Sequence, residues 1–294
     1  MCSRILEWLN GCIHLFILSG LISLILYARN ETLLKYPRVS DDLLHDHKKC
    51  FEYYLHRRDD WRFSLSLDVV INFCSMRQRL DVRIDRFPNT NEVKYMILPK
   101  ENVPTTVLTI GIGQDINAEK LIKEALPNTS FIGADPVEHP NRELYETLGI
   151  FHNIAVEAGT GTETAYVLIA NDSEFTEHPH NEYAHTDQVD LLLLDAEGGE
   201  FGILPHLLSL SNSTSMGSNQ FCQVNVEIHV ANRERRAAVK DFFTKLVNNS
   251  DYLPLMAERF GVNQVIFMVN IADSECECRY GLPLRKDVPN CTKH

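Results

Sequence analysis

Asp195 and Glu197 stand two residues apart just after the leucine-rich run Val189–Leu194, in the stretch Asp195-Ala-Glu197-Gly-Gly-Glu200. A carboxyl group at the edge of an apolar run has its pKa raised by burial, which suits it to abstracting a proton or gripping a cation. A second acid and an imidazole, Glu227 and His229, fall near the end of another apolar run, Phe221–Val230. Asp195, Glu197, Glu227 and His229 are the candidate catalytic set. Glu200 reads instead as an acid at a helix start, complementing the helix dipole.

A different chemistry is suggested by Val107-Leu-Thr-Ile-Gly111-Ile-Gly113-Gln114-Asp115. Glycines between a strand and a helix let the backbone approach a ligand, and the free N–H groups of the helix start face it. The next apolar run, Ser130–Ala134, ends in Asp135-Pro136. An acid about twenty residues after such glycines sits where nucleotide folds place a carboxylate for ribose hydroxyls. Gly111, Gly113, Gln114, Asp115, Asp135, Pro136 and Asp195 are therefore the candidate cofactor-binding residues.

These residues need strands to carry them. Val107–Ile110, Phe131–Ala134, Phe151–Val156, Val189–Leu194 and Phe221–Val230 read as strands. Helical patterns lie at Ala118–Ala125, Asn141–Leu148, Glu200–Leu208 and Arg235–Val247, and Tyr252–Arg259 with Val262–Asn270 closes as a hairpin around Gly261. Alternating strand and helix with a final hairpin calls for an α/β fold, a mostly parallel sheet with one antiparallel member. Upstream, residues 46–104 read as a helical extension with a short strand at Val93–Leu98. Thr164–Ala170 reads as a strand, and Asn171–Asp187 as a polar surface loop or lid.

The net charge of −12 argues against a nucleic-acid surface and favours a small-molecule or glycan partner. Gly11–Ala28 is apolar enough for a signal anchor within residues 1–28, followed by a stem over 29–45; a cleaved signal sequence is the alternative. Arg29, Lys35 and Arg38 just after it would keep the domain cytosolic on a positive-inside count. Six N-glycosylation sequons, at Asn30, Asn128, Asn171, Asn212, Asn248 and Asn290, outweigh that count. The expectation is a single-pass type II protein of the ER or Golgi lumen, with the membrane as partner through the N-terminal helix, or a secreted protein if the segment is cleaved.

Cysteine usage agrees, since six of the eight, Cys50, Cys74, Cys222, Cys276, Cys278 and Cys291, lie beyond the anchor, an even number suited to disulfides. No metal is expected. Cys276-x-Cys278 with Cys291 lacks a histidine at ligand spacing and reads as a stapled tail over 271–294. His178, His180 and His185 are irregularly spaced around Pro179, and His45 with His47 reads as a solvated helix start.

The stretches Val107–Gly113, Gly133-Ala-Asp-Pro136, Val189–Glu200 and Val226-Glu-Ile-His229 together resemble the FkbM-type S-adenosylmethionine-dependent methyltransferases over residues 105–270. The resemblance implies a Rossmann-like class I methyltransferase sheet of seven strands, with the last hairpin antiparallel and helices on both faces. It implies S-adenosyl-L-methionine as cofactor, with Gly111 and Gly113 flanking its methionine and ribose part and Asp135 on its ribose. Asp195 would lie where the methyl group meets the acceptor, in O-methylation of a glycan or small molecule. Two departures stand out: Thr109 replaces the acid usual two residues before the first glycine, and Gln114-Asp115 replaces the third glycine. A luminal type II glycosyltransferase using an Asp195–Glu197 acid pair, and a catalytically silent interaction domain of the same fold, are the alternatives.

Overall fold

The computed structural model describes residues 43–77, 82–156, 162–169, 172–179, 189–208, 221–230 and 232–282. It begins with three helices, α1 (Leu43–Arg57), α2 (Asp60–Leu65) and α3 (Leu67–Arg77), and a hairpin of β1 (Asp85–Pro88) and β2 (Val93–Met96). Then come β3 (Thr105–Ile110), α4 (Asn117–Ala125), β4 (Thr129–Ala134), α5 (Asn141–Tyr145) and β5 (Ile150–His152). A second hairpin, β6 (Thr162–Ile169) and β7 (Asp172–Pro179), precedes β8 (Val189–Leu194), α6 (Glu200–Leu207), β9 (Phe221–Ile228) and α7 (Arg233–Asn249). The strands β10 (Tyr252–Phe260) and β11 (Asn263–Asn270) and the helix α8 (Ser274–Tyr280) close the described chain.

Seven strands form one sheet in the order β10-β11-β9-β8-β3-β4-β5. The pairs β9/β8, β8/β3, β3/β4 and β4/β5 are parallel, and β11 runs antiparallel to both its neighbours. This is a Rossmann-like α/β fold. Strand β8 is buried at all six positions because elements cover both its faces, which is why it reads as a solid apolar run. Burying Leu191, Leu192, Leu193 and Leu194 contributes about 2 kcal/mol each. The one acid in that strand, Asp190, is tolerated because it accepts hydrogen bonds from the Thr106 N–H, the Tyr280 hydroxyl and Arg279.

The N-terminal extension and the sheet join through amide side chains that imitate strand pairing. Gln223 and Asn225 of β9 bond the backbone of Ile97 and Tyr95, holding the β1–β2 hairpin over the sheet. Asn72 of α3 makes the same double bond to Ala257 and so covers the edge strand β10. Two disulfides fasten the ends: Cys50–Cys74 joins α1 to α3, and Cys222–Cys276 joins β9 to α8. Cys278 is disulfide-bonded as well, so the Cys276-x-Cys278 pair is a staple rather than a thiolate ligand set. These bridges are compatible with a secretory location. Of the sequons, Asn128 and Asn248 are exposed.

Three expectations are corrected. Residues 172–179 are not loop but strand, because β6 supplies a full antiparallel partner from Ile169↔Asp172 to Thr162↔Pro179; backbone pairing needs no apolar side chains. The short strand expected at Val93–Leu98 is present as β2, but it is half of a hairpin, because Asp85–Pro88 forms an unexpected partner strand, β1. His47 is not solvated: α1 turns it inward, where its Nε2 meets Ser75 Oγ at 3.3 Å and burial lowers its pKa to about 4. His180 and His185, the anchor at 1–28 and most of the stem lie outside the described residues. Among the described residues no helix is long and apolar enough to cross a membrane.

Candidate active site

The strand order reverses beside β3, with β4 and β5 on one side and β8 and β9 on the other. At such a point the connections leave in opposite directions and a crevice opens past the carboxyl ends of the strands. Gly111 directly follows β3 there and Asp195 directly follows β8. The Asp195 N–H donates to the Ile110 carbonyl at 2.8 Å, and a Cβ on Gly111 would lie 1.7 Å from the Asp195 carbonyl oxygen. The close approach of two backbones demands glycine at this position.

The turn continues with Gly113 at φ +62° and Gln114 at φ +63°. Nothing lies within 4 Å of a Cβ built on Gly113, so this glycine faces open space. The Gln114 N–H is held by Asn141 Oδ1 at 3.0 Å. Asp135, almost fully buried at the end of β4, accepts the Ile112 N–H at 2.6 Å and the Val137 N–H at 2.7 Å, and so pins the turn to the next strand. Pro136 follows it, its carbonyl capped by Asn153. Asp115 accepts the N–H groups of Thr90 and Asn117, fastening the β1–β2 hairpin to the start of α4. Those bonds lower its pKa against the upward push of burial.

On the other side of the crevice the four predicted catalytic residues come together. His229 Nε2 is 3.7 Å from Asp195 Oδ1, 3.3 Å from Glu197 Oε2 and 3.7 Å from Glu227 Oε1. Its Nδ1 lies 2.8 Å from Oε1 of Glu200, which is fully buried and also accepts the N–H groups of Ala196 and Gly198. Burial favours the neutral imidazole, yet the hydrogen bond to Glu200 and the charges of Glu200, Asp195 and Glu197 prevail and raise His229 to about 9. Burial pushes Asp195 up to about 6 against the pull of Lys94 and His229. Burial, with Asp195 and Glu92 adding repulsion, raises Glu227 to about 7. Glu197 sits at φ +49°, strained for a non-glycine residue, with its carbonyl taken by Arg235.

Neither a family model nor a curated protein matches the chain. The solved structure of the pyocyanin biosynthetic protein PhzM is similar at a TM-score of 0.28 and 12% identity, over 75% of this chain and 61% of that one. The chain thus spans less than two thirds of that protein's length, and the likeness is too slight to carry function. The resemblance to the FkbM type therefore rests on the sequence stretches that suggested it.

Sequence reasoning missed the contributions that arrive from outside the strand ends. Glu200 is part of the cluster and not only a helix-start acid; its place four residues after Ala196, whose N–H it accepts, was the available signal. Glu92 and Lys94 come from the β1–β2 hairpin, Lys94 Nζ lying 2.5 Å from Glu92 Oε1. Burial alone would lower Lys94, but Glu92, Asp195 and Glu119 raise its pKa and keep it charged.

Thr109 is met by Glu119 of α4. Thr109 Oγ1 donates to Glu119 Oε1 at 3.2 Å and accepts from the Tyr145 hydroxyl at 2.9 Å, so the helix brings a carboxyl group to the end of β3. Glu119 is almost fully buried, which raises its pKa to about 7. A carboxyl raised in the folded state gives stability that is present below its unfolded pKa and lost as pH rises through the folded one. Glu119→Gln is expected to stabilise the protein at pH 8 by about 2 kcal/mol and to have little effect at pH 4, measured by urea unfolding at both values. Equal effects at the two pH values would contradict a buried neutral acid.

Proposed function

We propose that this chain is an S-adenosylmethionine-dependent methyltransferase of the class I fold that methylates a hydroxyl group on a glycan or small molecule. The observation that carries the reading is the strand order, with its reversal between β3 and β8 and its antiparallel β11, together with a glycine turn and a raised carboxyl on the two sides of that reversal. The turn suits the cofactor in one testable respect: Gly113 is exposed with nothing within 4 Å of a Cβ built on it, so its backbone is open to an approaching ligand. Gly111, Gly113 and Gln114 would hold the methionine and ribose part, and Asp135 would take the ribose hydroxyls with the lone pairs its two backbone bonds leave free. S-adenosylmethionine supplies an electrophilic methyl group on a sulfonium.

The residues around it do the remaining work. Glu227, which burial raises to about 7, would be the group suited to take the acceptor's hydroxyl proton. Asp195 would lie beside the point of transfer, and orientation of the acceptor there would supply most of the rate. We place the domain in the secretory lumen behind an N-terminal anchor, without nucleic acid as a partner.

Calorimetric titration of the full-length chain in detergent with S-adenosylmethionine and its demethylated product tests the reading. Binding of both is expected, and at least tenfold weaker binding in Gly113→Ala. Failure to bind either at millimolar concentration, with a nucleotide sugar bound instead, would replace this reading with the glycosyltransferase one.

A further inference from the structure

We propose that Asp195, Glu197 and His229 form a binding site for one divalent cation of the Mn2+ or Mg2+ class. Their donor atoms all lie within 4.8 Å of one another. Adjacent ligands of an octahedral ion with bonds of about 2.1–2.2 Å are about 3 Å apart. The separations of 3.3 Å from His229 Nε2 to Glu197 and 3.7 Å to Asp195 close to that spacing with small side-chain shifts.

Acidic groups alone would not make a site, but the imidazole points to one independently. The His229 side chain is 9% exposed and its Nε2 makes no hydrogen bond, although it is aimed between the carboxylates. Its other nitrogen is fixed by a fully buried glutamate, the arrangement that orients metal-binding histidines, and the cation would displace the Nε2 proton of the imidazolium as it binds. Asp195 Oδ1 is likewise buried without a hydrogen-bond partner, a state that costs free energy unless something else satisfies it.

A neighbouring acidic group, Glu92, Asp195 and Glu227, shares Asp195. There the positive charge is built in, because Lys94 already pairs with Glu92. The free coordination lies on the His229 side. Two carboxylate oxygens and one imidazole nitrogen are a hard donor set, leaving positions for water and for an incoming oxygen. The role that follows rests on the methyltransferase reading, whereas cation binding itself does not. An acceptor hydroxyl on the ion would have its pKa lowered and its proton passed to Glu227, which stays outside the coordination shell.

The test uses the full-length chain in detergent, stripped with a chelator and titrated with Mn2+ while free Mn2+ is read by electron paramagnetic resonance. One bound Mn2+ per chain is expected, displaced by excess Mg2+, with nitrogen hyperfine coupling from the imidazole in the pulsed spectrum. Glu197 is largely exposed, so Glu197→Gln leaves the fold intact and should weaken binding at least tenfold. No binding at millimolar Mn2+, binding unchanged in Glu197→Gln, or a bound ion without nitrogen coupling would each overturn the site. A parallel titration with S-adenosylmethionine separates the two proposals. Cofactor binding without Mn2+ binding removes the cation and leaves methyl transfer; Mn2+ binding without cofactor binding does the reverse.

Discussion

Gly111→Ala is expected to cost about 4 kcal/mol, from the strain of a positive φ and the displacement of packed backbone. Two causes act together. The residue sits at φ +80°, and the added methyl would lie 1.7 Å from a carbonyl oxygen of the neighbouring strand's end. No rotamer relieves that overlap, because both groups belong to the main chain. Relief requires β3 and β8 to part where the Asp195 N–H bonds Ile110. A chain of this size should melt about 6–7 °C lower, and the variant should lose whatever ligand the crevice holds. Gly113→Ala is the control: its φ is also positive, but the space around it is open, so only a conformational cost of about 1–2 kcal/mol applies. Similar melting temperatures for the two variants would show that the approach of Asp195 to the turn is not what requires Gly111.

The parts of the fold that sequence reading reached are those where one pattern has one physical cause. β8 is apolar because both faces are covered, and the turn after β3 is glycine because two backbones meet there. β7 escaped because its side chains are mostly polar and its strand character comes from pairing with β6, a cause that leaves no period to read. Asp115 and Asp135 were recognised as polar groups at the crevice, yet the backbone N–H groups that each accepts come from segments distant in sequence or from the turn itself. Glu119 was invisible as a site residue because position within α4 says nothing of Thr109 on β3. Strand ends can be lined up from a sequence, but what a hairpin or a helix brings across the sheet depends on docking that only tertiary contacts such as Gln223 to Ile97 reveal.

The charge cluster has a hierarchy that a second variant exposes. Glu200 is the one acid of the group with no exposure, and a single oxygen, Oε1, accepts from Ala196, Gly198 and His229. Removing one member of a buried ion pair leaves the other uncompensated, so Glu200→Ala should cost roughly 3–5 kcal/mol. Glu200→Gln keeps an oxygen for these donors and removes only the charge; about 1–2 kcal/mol is expected. The pH dependence distinguishes charge from packing. His229 is raised in the folded state to about 9, so its contribution is whole below the unfolded value near 6.5 and is lost as pH rises through the folded one. That amounts to about 3 kcal/mol across the window. In Glu200→Gln the folded value should fall toward 6.5, and the loss of stability between pH 7 and 9 should flatten. Urea unfolding at pH 6, 7.5 and 9, with the His229 ring followed by NMR, measures both quantities. An unchanged slope in Glu200→Gln would mean that Asp195, Glu197 and Glu227 alone keep the imidazole charged, and that Glu200 serves the turn at Ala196–Gly198 instead of the histidine.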